Sequence, residues 1–210
     1  CCTPKGRMLA SFLVWKNSSG YFMQLPISLL ITLEKRLSMY VMRAKVKLNN
    51  DSDKYVRIGV AGSLASEIVE KIFGASPDPL LGVINSENES VICLSQDRFE
   101  IVTTQEHGPK IWGNLKKYAM PVGRFCWDWL EVKAGIPVIT PATQEQFVPQ
   151  MTNLEAIGGI SFQKGCYPGQ EIVSRTQFLG KIKRRMYLAN ICTKESIFAG
   201  DELYSTKKQV

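Results

Sequence analysis

The order of apolar patterns in the middle of the chain constrains the fold more than any other feature. Tyr55–Ala61 is a β-rich run, and apolar residues at helical spacing follow it over positions 64–73. Val91–Ser95 and Phe99–Thr103 are two further β-rich runs, and Pro109 precedes a second helical pattern. The order β-α-β-β-α predicts a split βαβ (ferredoxin-like) unit, which one more strand would complete.

A shorter block with a related order precedes this unit. Met8–Trp15 and Tyr21–Leu25 predict a β-hairpin, and Pro26 starts a helical pattern of apolar residues that reaches Ala44. Lys45–Leu48 is predicted as a short strand. This β-β-α-β order is that of the second half of a split βαβ unit, so we expect two related units in tandem within an α+β protein.

The pattern changes between Pro137 and Gly180, where prolines and glycines are frequent and regular periodicity fades. Long connections of this kind are often functional. Lys181–Ile191 returns to a strand pattern and predicts the start of a further β-rich domain. Because the chain begins without Met and its first strand pattern is under way at Met8, we expect it to be part of a longer protein.

Composition and charge narrow the classes of partner and compartment. The net charge of +7 favours anionic partners, but the basic residues are scattered, so we expect no direct nucleic-acid binding. No apolar stretch approaches the roughly 20 residues of a membrane span. The six cysteines form no Cys-x-x-Cys pair and there is one His, so we expect no metal site. Reduced thiols and no recognisable signal peptide favour a cytoplasmic protein.

The best candidate for chemistry in the irregular region is the thiol of Cys166. Gly165 and Gly169 flank it and allow the backbone to approach a ligand or to take positive φ. Lys164 lies two residues before it, and a nearby cation favours thiolate over thiol. The alternative is a glycine-rich turn around a buried, inert cysteine. Cys93, within a run of apolar residues, is interpreted as a buried small hydrophobic residue.

The residues that follow this thiol are suited to binding a polar ring. A helix beginning near Gln170 would place its amino terminus close to the cysteine. Gln170 and Glu171 add an amide and an acid that could bind a polar heterocycle.

The stretch Lys164–Glu171 reads Lys-Gly-Cys-Tyr-Pro-Gly-Gln-Glu and resembles the signature of the YgfZ family, which commonly reads Lys-Gly-Cys-Tyr/Phe-x-Gly-Gln-Glu. Three further segments resemble the family in the same order along the chain. These segments are Cys2–Met8, Ala134–Ile139 and Phe147–Leu154. Together the four segments are spread over most of the chain.

The resemblance implies a fold and a function. The YgfZ family is related in fold to the aminomethyltransferase T-protein of glycine cleavage, with three domains around a cavity that binds tetrahydrofolate. Family members support assembly or repair of iron–sulfur clusters and, through iron–sulfur enzymes, tRNA thiomethylation. The expected domains are a partial α/β unit over 1–52, a second unit over 53–150, a signature segment over 151–180 and the start of a C-terminal β-barrel over 181–210.

The resemblance also implies roles for individual residues. Cys166 is expected to be the key thiol. The family's folate-stacking Trp falls by position on Trp127, whereas Trp129 is expected to pack in the core. The other expected folate-binding residues are Lys164, Gly165, Tyr167, Gly169, Gln170 and Glu171.

Three functions follow for comparison. The first is a tetrahydrofolate-binding accessory protein whose partners are iron–sulfur enzymes or assembly factors. The alternative is a folate-dependent aminomethyltransferase, which needs an acid near the folate nitrogen. Lys133 stands where relatives often carry an acid or Arg, although Glu131, Glu155 and Glu171 remain possible. The third is an RNA-binding module, motivated by the net charge alone.

Overall fold

The computed structural model describes residues 1–202 and shows a mixed α+β protein with antiparallel sheets. The described strands and helices are β1 (Leu13–Asn17), β2 (Gly20–Gln24), α1 (Leu30–Val41), β3 (Tyr55–Ala61), α2 (Ala65–Phe73), β4 (Val83–Asn85), β5 (Glu89–Ser95), β6 (Arg98–Thr104), α3 (Gly108–Leu115), α4 (Arg124–Lys133) and α5 (Gln170–Phe178). Short 3₁₀ turns lie at Ile27–Leu29, Pro141–Thr143 and Pro149–Thr152. None of the described helices is long and apolar enough to cross a membrane.

Contacts divide the chain into two compact units, and each unit is discontinuous in sequence. The first unit contains residues 1–13, residues 24–42 and the chain from Asp128 onward. The second unit contains residues 14–23 and 43–127. The domain limits expected at 52, 150 and 180 stay predictions.

The second unit is built on a four-stranded antiparallel sheet in the order β3-β6-β5-β4. Strand β6 pairs antiparallel with both β3 and β5, so β3 and β5 run parallel with β6 between them. This is the split βαβ arrangement that the sequence predicts, with the short β4 added at one edge. The tandem repetition of this unit stays a prediction.

The core of the second unit lies on one face of the sheet. Alternate residues of its strands, including Val60, Phe99 and Ile101, are buried against the apolar faces of α2 and α3. Helix α2 ends before Gly74, which adopts the left-handed conformation with φ of 80° that is common for glycine after a helix. The remaining apolar positions of this cluster are Ile58, Ala65, Val69, Val91, Cys93, Ile111 and Leu115.

The first unit has a separate apolar cluster around Met8, which is 1% exposed. The Met8 N–H donates to the carbonyl of Phe147 at 2.7 Å, and the Met8 carbonyl accepts from the N–H of Glu145 at 2.8 Å. Leu29, just before α1, and Leu33, within α1, are buried in the same cluster. Residues distant in sequence therefore meet at the opening of the chain.

Two of the predicted strands are wrong. Lys45–Leu48 forms no strand, because its side chains are largely exposed and no neighbouring strand pairs with it. Lys181–Ile191 also forms none, and no strand follows Thr104 in residues 1–202. The start of a β-barrel domain over 181–210 stays a prediction. The Arg185 guanidinium instead binds the carboxylate of Glu155. The last eight residues of the expected 181–210 domain lie outside the described part.

We expect the buried thiol of Cys93 to lower the free energy of unfolding at alkaline pH. Burial raises the pKa of the Cys93 thiol, and the charge of Asp78 adds to the increase. Above the ordinary thiol pKa of about 8.5 the unfolded chain loses this proton first, so native stability falls as pH rises. In urea unfolding, the free energy of unfolding of wild type should exceed that of Cys93→Ala by about 1 kcal/mol at pH 7. The difference should be smaller at pH 10.

The exposed thiol of Cys192 provides the matched control for the loss of a sulfur atom. Cys192→Ala should leave the free energy of unfolding near the wild-type value at neutral pH. A difference between wild type and Cys93→Ala that grows with pH would contradict burial of this thiol.

Candidate functional site

The stretch Lys164–Glu171, here called the signature, leads directly into helix α5. Gly169 caps this helix with a left-handed φ of 85°, and α5 begins at Gln170, as the sequence predicts. Gln170 and Glu171 therefore occupy the first turn. The residues before the cap form an irregular loop that contains Cys166.

A close backbone contact joins the signature to the segment Cys2–Met8, here called the opening segment. A Cβ atom at Gly169 would lie 2.3 Å from the Thr3 carbonyl oxygen and 2.8 Å from Gly6 Cα. A Cβ atom at Gly6 would in turn lie 3.0 Å from Cβ of Ile172. Gly6 also has a positive φ, of 71°. Both positions therefore require glycine for backbone conformation, and Gly169 requires it for space as well.

Hydrogen bonds within the opening segment hold its side of this contact. The Thr3 N–H donates to the Arg7 carbonyl at 2.8 Å, and the Gly6 N–H donates to the Thr3 carbonyl at 2.9 Å. The Arg7 N–H donates to Oγ1 of Thr3 at 3.2 Å. The segment is thus a closed turn whose surface presents Thr3 and Gly6 to the start of α5.

Charge and burial link three side chains across this contact. Lys164 Nζ lies 4.8 Å from the centre of the Tyr167 ring. Burial raises the pKa of the Cys2 thiol, and Lys164 opposes the increase. Burial also raises the pKa of Tyr167, and the Cys2 side chain adds to it. Cys2, Lys164 and Tyr167 therefore share one electrostatic environment.

The two thiols that the sequence distinguishes differ as expected. Cys166 is exposed, whereas Cys93 is buried in the core of the second unit. The alternative of a buried cysteine in the signature is therefore wrong. The surroundings of the adjacent Gly165 are also open, since a Cβ atom there would meet nothing within 4 Å.

The structure corrects the place expected for one of the two tryptophans of α4. Trp129 is 57% exposed, with Lys133 Nζ 4.7 Å from its ring, so its predicted place in the core is wrong. Residues two apart on a helix point to opposite sides, and here Trp127 is the one that packs. Trp127 is half-buried against β3 of the second unit, where a Cβ at Gly59 would overlap its ring. Its role in binding folate stays a prediction.

The candidate residues thus fall in both units. The signature and the opening segment belong to the first unit, and Trp127 belongs to the second. A cavity of about 630 Å³ in the first unit is lined by residues of 137–152 and 182–187, with no residue of the signature. Within residues 1–202 no cluster of His, Cys, Asp and Glu could hold a metal ion.

Sequence reasoning missed a buried amide that supports α5. Gln150 is fully buried, and its Nε2 donates to the Val173 carbonyl at 2.8 Å. It also missed the contact between Gly59 and Trp127. An isolated glycine inside a strand pattern, as in Tyr55–Ala61, indicates close approach by another group and could have revealed that contact.

No family model matches the chain, whereas curated proteins are similar to it over most of its length. The tRNA-modifying protein YgfZ of Klebsiella pneumoniae (strain 342) is 33% identical over 204 residues, which are 96% of this chain and 62% of the relative. Proteins of the same name from Colwellia psychrerythraea and from Enterobacter sp. are 34% and 35% identical over 90% of this chain and 58% of each relative. The chain therefore spans about three fifths of the length of these relatives.

Substitution by alanine should change the free energy of unfolding at one glycine of the signature and leave it nearly unchanged at another. Gly169→Ala would strain a positive φ and overlap the Thr3 carbonyl, so we expect a loss of about 2–4 kcal/mol in the free energy of unfolding. Gly165→Ala is the matched control and should stay within about 0.5 kcal/mol of wild type. Equal effects in urea unfolding would contradict the backbone contact.

Exposure should order the reactivity of the thiols. In native protein treated with iodoacetamide, we expect Cys166 to be alkylated well before Cys93, as measured by mass spectrometry of quenched samples. Cys126, which is also exposed, reports labelling by exposure alone. After unfolding in urea all three sites should react. Labelling of Cys93 ahead of Cys166 in the native state would overturn this order.

Proposed function

Because the chain belongs, over its aligned residues, to the family of the tRNA-modifying protein YgfZ, we propose that it is a tetrahydrofolate-binding accessory protein. In this proposal it supports assembly or repair of iron–sulfur clusters and iron–sulfur-dependent tRNA modification. Its fold is proposed to be that of the aminomethyltransferase T-protein. Its partners are folate and iron–sulfur enzymes or assembly factors, and Cys166 is the thiol that this function needs.

The observation that carries the proposal is the exposed thiol of Cys166 on a loop that is anchored at its far end. Gly169 fixes the end of this loop against the opening segment through a contact of backbone atoms. A thiol in such a place is available to a partner without unfolding of the core. A thiol that takes part in the assembly or repair of an iron–sulfur cluster must be accessible in this way.

The side chains near the signature fit the chemical groups of a folate. Gln170 offers an amide, Glu171 an exposed carboxylate and Lys164 an exposed ammonium, which together match a pterin edge and a carboxylate tail. Tyr167 offers aromatic surface for stacking, and the folate-stacking role expected of Trp127 is a separate part of this proposal. When bound, tetrahydrofolate supplies a carrier for one-carbon groups. The residues of this chain bind and orient it.

The aminomethyltransferase alternative finds little support in two of its candidate acids, Glu155 and Glu171. Glu155 forms an ion pair with Arg185, which engages its carboxylate. Lys133 lies over the ring of Trp129 at the position where relatives often carry an acid or Arg. Glu171 is exposed in the first turn of α5, so its carboxylate faces solvent and not an enclosed site from which water is excluded.

In this proposal, folate binding does not require the Cys166 thiol, whereas support of iron–sulfur enzymes does. Cys166→Ser replaces sulfur by oxygen at an exposed site, so it should keep stability and bind tetrahydrofolate within about twofold of wild type in isothermal titration. The same variant should abolish support of iron–sulfur enzymes in cells that lack the protein. Thiomethylated tRNA, measured by mass spectrometry, is the readout.

Cys126→Ser is the matched control at another exposed thiol and should restore thiomethylation fully. Full restoration by Cys166→Ser would contradict the role of the thiol. Failure of the wild-type protein to bind tetrahydrofolate would overturn the folate part of the proposal independently.

A further inference from the structure

We propose that Gly59 and Arg98 are positioning residues that hold the Trp127 indole in one orientation for ligand stacking. The inference rests on the proposed function for the identity of the ligand, a tetrahydrofolate. The positioning itself is argued from contacts within the second unit alone.

Gly59 supplies the space in which the indole lies. A Cβ atom at this position would be 2.2 Å from Cε3 and 2.3 Å from Cζ3 of Trp127. Carbon atoms cannot approach this closely, so the six-membered ring of the indole occupies the volume that any other residue would fill. Gly59 lies inside β3, where glycine weakens a strand and is kept when another group approaches the backbone.

Arg98 supplies the second contact from the neighbouring strand. Its guanidinium carbon lies 5.5 Å from the centre of the Trp127 ring, within the range of a cation–π interaction. The side chain is 5% exposed. Its Nε and Nη1 atoms are buried and have no hydrogen-bond acceptor among residues 1–202. The aromatic face is therefore a favourable neighbour for a cation that lacks acceptors at these two atoms.

The register of the sheet brings these two contacts to one face. Gly59 pairs with Glu100 and Ala61 pairs with Arg98 across β3 and β6. Directly opposed residues of an antiparallel pair share a face, and so do residues two apart on one strand. Gly59 and Arg98 thus meet Trp127 from adjacent strands on the face opposite the apolar core.

Two contacts of different kinds fix the ring more closely than either would alone. The missing side chain of Gly59 sets how near the ring comes to the sheet, and the Arg98 guanidinium stabilises it there. Trp127 is half-buried, so the residue remains partly accessible to solvent. A ring that is ordered before the ligand arrives loses less conformational freedom on binding, which increases affinity.

The test uses the full chain labelled with 5-fluorotryptophan, which gives one ¹⁹F resonance for each of its four tryptophans. Trp127→Phe assigns the resonance of Trp127 by its disappearance. We expect Arg98→Met and Gly59→Ala each to shift that resonance and to leave the other three in place. Both variants should also raise the Kd for tetrahydrofolate about tenfold, with partial rescue by Arg98→Lys, which keeps the cation.

Lys71→Met is the matched control for the loss of a cation from an aromatic ring. Lys71 Nζ lies 4.3 Å from the centre of the Tyr118 ring in the same unit. This variant should change neither the Trp127 resonance nor the affinity for tetrahydrofolate. Gly113→Ala is the control for an added methyl group, because a Cβ atom there meets nothing within 4 Å.

If Arg98→Met does not fold, the Gly59→Ala variant still tests the positioning role. The loss of thermal stability caused by Gly59→Ala should largely disappear in a Trp127→Ala background, where the ring is absent.

A Trp127 resonance unmoved by both Arg98→Met and Gly59→Ala overturns the positioning role. If the resonance moves but Trp127→Phe binds tetrahydrofolate like wild type, the link to ligand affinity is overturned. Absence of binding by wild type defeats the proposed function, and the ¹⁹F shifts then decide the positioning role alone.

Discussion

The backbone contact between Gly6 and Gly169 is the constraint on which the candidate site depends. It brings a turn at the beginning of the chain against the first residues of α5, with no side chain from either glycine between them. The loop that carries Cys166 ends at this contact, so its position follows from packing of main-chain atoms. Backbone atoms have few alternative conformations once both glycines adopt positive φ. The site is therefore anchored by steric fit, and its chemical groups remain at the surface.

Burial of polar groups supports this anchor from behind. Gln150 lies fully buried beneath α5 and donates to the carbonyl of Val173, also buried, in the middle of that helix. A buried amide that lost this acceptor would cost roughly 1–3 kcal/mol, so the hydrogen bond strongly favours one placement of the helix. The Asn153 amide likewise donates to the carbonyl of Met186 and holds the chain beyond α5 in place. Polar contacts, as well as apolar burial, define the first unit around the signature.

The sheet of the second unit uses its two faces differently. One face packs apolar strands on α2 and α3, as the pattern of the sequence predicts. The opposite face carries the buried charges of Arg98 and Glu100, with Arg57 Nη1 3.7 Å from the Glu100 carboxylate. Buried charges seldom add net stability, because their desolvation offsets their attraction. Of these charged residues, Arg98 lies over the ring of Trp127.

Local patterns in the sequence were sufficient for the elements that bury an apolar face. Strands β3, β5 and β6, helices α1 and α2, and the start of α5 follow from periodicity and from glycine and proline positions, because each pattern has a packed partner. Lys45–Leu48 and Lys181–Ile191 have strand composition but remain largely exposed, and composition alone does not supply a strand to pair with. The motif around Cys166 was likewise recognisable from residue order. The packing of Trp127 against the sheet, and the meeting of Gly6 with Gly169, were decided only by tertiary structure, because each depends on which distant backbone occupies the adjacent space.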